Sequence, residues 1–266
     1  MADGCLNFDT NINKEGFEKG LKSLSDMVGD IKPKLKSLAM AVTAAFSVKK
    51  LVDFGRQSIE TASDLAEVQN VVDTAFGESK QKMEDFADTA VKTYGISKLT
   101  AKQTGSNFMA MAAGMGLAND SASDMAMALT GLSADMASFY NVGQDVASTA
   151  LKSIFTGETE TLKQFGIVMT DANLQAYALS KGITKSTADM SQAEKVQLRY
   201  NYVMSQTALA QGDFAKTSDS WANQTRILSE QWKEFGATIG TVLMNVLLPA
   251  VKAINSVLSQ LISLAQ

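Results

Sequence analysis

Histidine is missing from all 266 residues, and cysteine occurs once, as Cys5. Without an imidazole, Ser-His-Asp and Cys-His catalysis and His-ligated metal sites are closed to this chain. One thiol makes neither an internal disulfide nor a thiolate cluster, which fits synthesis in the cytosol better than secretion. Proline occurs only as Pro33 and Pro249, and runs rich in Val, Ile and Thr are scarce. Charged residues are 20% of the chain, with a net charge of −4 and no basic run interleaved with aromatics. A surface for neutralising phosphates is therefore not expected, and no sequence-specific nucleic-acid contact with it. The start, MADGCLNFDTN, carries Asp3 and no apolar block after it, unlike a signal peptide.

What is present favours helix. Ala, Met, Leu, Lys, Gln and Ser dominate, and apolar residues reach 45%, a balance that loses little entropy in the α conformation and suffices for a core. The expected fold class is all-α: a compact multi-helix block flanked by long N- and C-terminal helices with coiled-coil-like seams. Phe17, Leu21, Leu24 and Val28 form a first helical stripe, interrupted by Gly29 and Lys32-Pro33. The pattern resumes at Leu35, Leu38, Val42 and Phe46 and extends towards Phe76, with Gly77 as its stop.

Shorter helices follow. One runs from Lys80 to Tyr94 and ends at Gly95. Thr100 with Gln103 reads as a capping box for the next, closed by Gly114-Met115-Gly116 after Ala113. Ser121 with Asp124 opens another, whose Met125, Leu129, Leu132, Met136 and Phe139 keep steps of four and three. Val146, Ala150, Ile154 and Phe155 mark one more. Leu174 to Leu179 predicts a short helix ended by Gly182, and Ser191 with Glu194 a capping box before Val196, Tyr200, Val203 and Thr207. Phe214, Trp221, Leu228 and Phe235 then recur every seven residues, the pattern of a packed helix seam, read as pairing within the chain before pairing between chains.

From Phe235 onward the only charge is Lys252. The uncharged run to Val251 falls just short of the ~18 residues expected of a spanning helix. An amphipathic or buried helix and a membrane-competent segment both remain open. Gly236 and Gly240 stand one turn apart, a small-xxx-small relation suited to helix–helix or membrane contact. Pro249 is expected to kink or restart the helix.

Candidate chemistry is sparse. Gly114 and Gly116 give G-x-G with no preceding strand, and Lys185-Ser186 follows Thr184 instead of Gly, so neither makes a phosphate loop. The six methionines from Met109 to Met136 read as packing residues. The stretch SIFTGETETLKQFGIVMTD (153–171) holds Glu158 and Glu160, which a glycosidase would need to place across a cleft. Just after Gly157, at a helix entrance, acids are favoured simply by the helix dipole. No catalytic, cofactor or metal site is assigned.

In series, several blocks resemble the N-terminal region of tail tape measure proteins (minor tail proteins) of phages and prophages. They are GCLNFDTNINKEGFEKGLKSL (4–24), DLAEVQNVVDTAFG (64–77), SDMAMALTGLSADMASFYN (123–141), the 153–171 stretch and EKVQLRYNYVMSQTALAQGDFAKTSDSWANQTRIL (194–228). Leu247 to Pro249 complete the series, so the resemblance covers nearly the whole chain. It implies a structural virion component without enzymatic activity, lying in several copies as helices within the tail lumen after synthesis in the host cytoplasm. The implied partners are copies of itself, the tail tube protein, tail assembly chaperones and distal tail or baseplate proteins. At infection such proteins leave ahead of the DNA, and the alternative role is as a membrane-active aid to DNA translocation, with the host membrane as partner. A peptidoglycan hydrolase is a remote third reading.

The expected organisation is an extended start and helical arm over 1–78, a compact helical block over 79–211, and a long helix leading into an apolar segment over 212–266. Members of the family are usually much longer, whereas 266 helical residues reach only ~400 Å at ~1.5 Å each. A fragment, a truncated prophage version and a short ruler stay open.

Overall fold

The computed structural model describes residues 48–265. Among them every regular element is helical: α1 (Val48–Phe76), α2 (Lys80–Tyr94), α3 (Lys98–Gly114), α4 (Asn119–Phe139), α5 (Gln144–Leu151), α6 (Ser153–Thr156), α7 (Glu160–Lys163), α8 (Asp171–Ser180), α9 (Gln192–Gln206), α10 (Asp213–Lys216) and α11 (Trp221–Ala265). The protein is all-α, with a 29-residue helix before the shorter ones and a 45-residue helix after them. The stripes from Phe17 to Phe46 lie outside the described residues. The described residues divide into two compact units, 60–238 and 48–59 with 239–265. The first takes in turns of α1 and α11 on either side of the 79–211 block read from the sequence.

Within 60–238, α4 is central. From Ala122 to Ala137 all its residues but three are buried, because small side chains alternate with Met125, Leu129, Leu132 and Met136. Thr130 and Ser133 sit in that core without penalty, since their hydroxyls donate to the carbonyls of Ala126 and Thr130, both at 2.7 Å. Gly131 admits the Tyr94 ring, where a Cβ would lie 2.8 Å from Cε1. Helices α2, α3, α5 and α10 pack around α4. Phe76, Phe108, Phe155 and Phe214 are fully buried with Met83, Met109, Met136 and Leu162, each contributing about 1.5–3 kcal/mol of transfer free energy. Of the six methionines, Met109, Met125 and Met136 are buried and Met111, Met115 and Met127 pack against the core.

Several helix ends share one device. A left-handed residue (Gly116, Asn141, Gly166 or Gly182) is followed by an apolar one whose N–H reaches back five residues. Leu117 bonds Ala112, Val142 bonds Ala137, Ile167 bonds Leu162 and Ile183 bonds Ala178. This is the Schellman arrangement with its hydrophobic follower.

Some boundaries differ from expectation. The cap of α3 stands three residues before Thr100: Ser97 accepts from the Thr100 N–H at 3.2 Å, and the helix starts at Lys98. Helix α4 starts at Asn119, ahead of the expected Ser121, and has no side-chain cap of its own. A tie from another element holds it instead: the Ser79 hydroxyl lies 2.7 Å from Asn119 and 3.0 Å from Asp120. The helix expected through Val146 and Phe155 is two, α5 and α6, broken at Lys152. Phe139 and Val146 are exposed, unlike the rest of their stripes. Helix α11 does not restart at Pro249 but is continuous to Ala265. A proline forfeits one backbone bond, which a long helix tolerates.

Candidate interaction helix

The first turns of α11 hold their place through polar groups. Ser220 opens the helix, its hydroxyl accepting from the Asn223 N–H at 3.2 Å. The buried Asn223 amide then donates to Ser138 Oγ at 3.0 Å and to Thr217 Oγ1 at 2.8 Å. One turn apart, Glu230 and Glu234 accept from the backbone N–H groups of Ser97 and Lys98, both at 3.0 Å. They satisfy donors at the start of α3 that no intrahelical carbonyl can reach. The preceding connector is fixed by buried Asp135, whose carboxylate accepts from Gly212 N–H at 2.7 Å and Phe214 N–H at 3.2 Å. Burial pushes the Asp135 carboxyl above the usual range, and the two backbone donors pull partly against it.

The opposite side of α11 is apolar and exposed. Trp221 is 85% accessible, Leu228 64%, Trp232 53% and Phe235 41%. At about 100° per residue these four fall within a ~60° arc, facing away from Asn223, Glu230 and Glu234. The Trp232 and Phe235 rings stand 5.6 Å apart. The interval of seven beginning at Phe214 is therefore not one seam: Phe214 is fully buried on α10, and the later members lie on the outward face of α11. Gly236 and Gly240 are both buried on α11, to one side of that stripe by roughly 40° and 80° from its Trp232 edge.

No helix among the described residues is long and apolar enough to cross a membrane. Glu158 and Glu160 are both exposed, and Glu160 pairs with Lys163 at 2.6 Å. Ile154 and Phe155 before them, and Leu162, Phe165, Ile167 and Met169 after them, are buried, while Val168 faces outward. Lys185 is engaged by Glu194 at 2.7 Å, and Ser186 caps a short turn at Thr187–Asp189. No three acidic or cysteine side chains among the described residues converge as a metal site.

Sequence reasoning found the apolar stripe but assigned it inward. The signal for the reverse lay on the other face: Asn223, Arg226, Glu230 and Glu234 recur at steps of three and four, so the polar stripe was equally regular. Set against known protein families, curated proteins and solved structures, the chain has no match in any of the three.

Proposed function

We propose that the chain is the N-terminal region of a tail tape measure protein, a structural scaffold around which a tail tube assembles and which sets its length. The ordered sequence blocks from 4–24 to 194–228 support the family reading. The single structural observation that carries an assembly role is α11, a 45-residue helix fixed by its polar face while aromatic residues line the other. Clustered exposed Trp, Leu and Phe are what a partner surface requires, since such anchors dominate protein association. The partners in this reading are copies of the chain, the tube protein and tail assembly chaperones, in the tail lumen after synthesis in the host cytoplasm.

The test is an in-frame deletion of four helical turns from an extended part of the full gene product. Tails should shorten by roughly 20 Å at 1.5 Å per residue; tails of unchanged length would refute the ruler.

A second reading rests on Trp221 and Trp232, residues favoured at membrane interfaces. Here α11 lies on the host membrane surface and aids DNA entry. Vesicle binding by the chain but not by Trp221→Ser/Trp232→Ser would support it, and equal behaviour of the two would end it.

A further inference from the structure

Helices α8 and α9, with the 187–189 turn, enclose a cleft of about 240 Å³ lined by Asp171, Leu174, Thr187, Lys195, Leu198 and Arg199, among others. Lys195 and Arg199 stand four residues apart on α9 and so share one face. Among the described residues neither enters an ion pair. Arg199 reaches the carbonyls of Ile154 and Phe155, but each bond is long at 3.4 Å. A guanidinium carries five N–H donors in a fixed fork, so most of its capacity stays unspent. Partial burial lowers its pKa, as expected of a cation short of counter-charge, while Asp171 acts on it only through its field.

The rest of the lining narrows the ligand. Two cations against one carboxylate leave a single positive charge. A dianionic phosphate would overfill it and bring its second charge towards Asp171. Leu174 and Leu198 supply an apolar wall. The volume is below the ~300–1,000 Å³ of sites for drug-sized molecules and suits a group the size of one side chain.

We propose that this cleft is a carboxylate-binding site. One carboxylate on a short aliphatic stem accepts from the Arg199 fork and Lys195, with the stem against Leu174 and Leu198. The ligand is a glutamate side chain of a partner or a free small carboxylic acid. This site is separate from the α11 face and independent of the tail-assembly reading.

The experiment is a titration of the isotope-labelled chain followed by amide NMR. The probes are N-acetyl-glutamate N-methylamide, propionate and inorganic phosphate, at matched ionic strength. Saturable shifts confined to amides of 171–174 and 195–199 are expected with the carboxylates. Saturation with the glutamate derivative alone identifies a partner side chain as the source, and equal or tighter binding of propionate identifies a free acid.

Lys195→Gln should weaken carboxylate binding about fivefold through loss of one charge-assisted hydrogen bond. Asp171→Asn should tighten it at least about twofold at low salt by removing a like charge. The second variant protects the test, because a gain of affinity cannot come from misfolding. Tighter binding of phosphate than of either carboxylate overturns the proposal. So do affinities unmoved by both substitutions, or the absence of saturable shifts at 171–174 and 195–199.

Discussion

The Glu230 carboxylate accepts a hydrogen bond at 3.0 Å from the backbone N–H of Ser97, across 133 residues of sequence. Ser97 already caps α3 with its own hydroxyl, so the helix start is held twice, once from within and once by α11. Glu234 repeats the contact on Lys98. A long helix whose outward face is apolar thus stays attached by placing carboxylates on another helix's free donors.

Replacing Glu230 and Glu234 together by alanine should free those donors and loosen α11. Each carboxylate contributes about 1 kcal/mol as an anionic partner at a helix start. Urea denaturation should register the loss. Amide exchange should quicken at Ser97 and Lys98 while Leu129 and Met136 stay protected; uniform change across the block would contradict a local attachment.

Lys102 is buried against Glu84 at 2.6 Å, and Gln69 bonds both partners, joining α1, α2 and α3. Lys102→Met leaves Glu84 without its cation. Glu84 retains some access to water, so the loss should be about 2–3 kcal/mol, below the ~3–5 expected of a fully buried pair. Adding Glu84→Leu should restore part of that stability, which a thermal melt of the double variant would register.

Asp135 predicts a pH dependence of unusual sign. Its folded pKa lies above the unfolded value, so the native state binds the proton more tightly. Its contribution is fully present below the unfolded pKa and is lost as pH rises through the raised folded pKa. Glu194 has the opposite sign: Lys185 and the capping box with Ser191 lower its pKa to about 2. Its contribution is present above the unfolded pKa and is lost as pH falls towards 2. Carboxyl carbon titrations by NMR should give the two groups midpoints on opposite sides of the ordinary range.

Gly95 is left-handed at φ +64°, and a Cβ there would lie 2.3 Å from Cε2 and Cζ of the Phe214 ring. Gly95→Ala should cost about 2–5 kcal/mol, combining backbone strain with overpacking. Phe214→Leu in the same chain should relieve the packing part only. Full recovery in the double variant would show that the φ angle carries no penalty.

Much of this fold is legible in the sequence where the signal is local. Gly95 ends α2, and Ser191 with Glu194 makes both halves of a capping box. The Met125–Met136 stripe turns inward because α4 must bury it. The misses are tertiary. Asn119 begins α4 because Ser79, forty residues earlier, bonds it. The Trp221–Phe235 stripe faces outward because Glu230 and Glu234 find backbone donors on α3, which no periodicity reveals. The Lys195–Arg199 cleft was missed too. Two cations at i and i+4 read as an ordinary solvated face until α8 closes over them.

The connector from Gly212 to Lys216 also has a mechanical meaning. Phe214 is its only fully buried side chain, seated on Gly95, and Asp135 grips the backbone N–H groups of Phe214 and of Gly212 before it. Tension applied along α11 would first break the Glu234 and Glu230 contacts with α3 and then shear the Asn223 amide from Ser138 and Thr217. Next it would have to draw an aromatic ring out of the core and tear two bonds from the buried Asp135 carboxylate, so the load passes to α4 through side chains and not along the backbone. The short α10 is therefore a cleat, and a line made fast there holds against a pull.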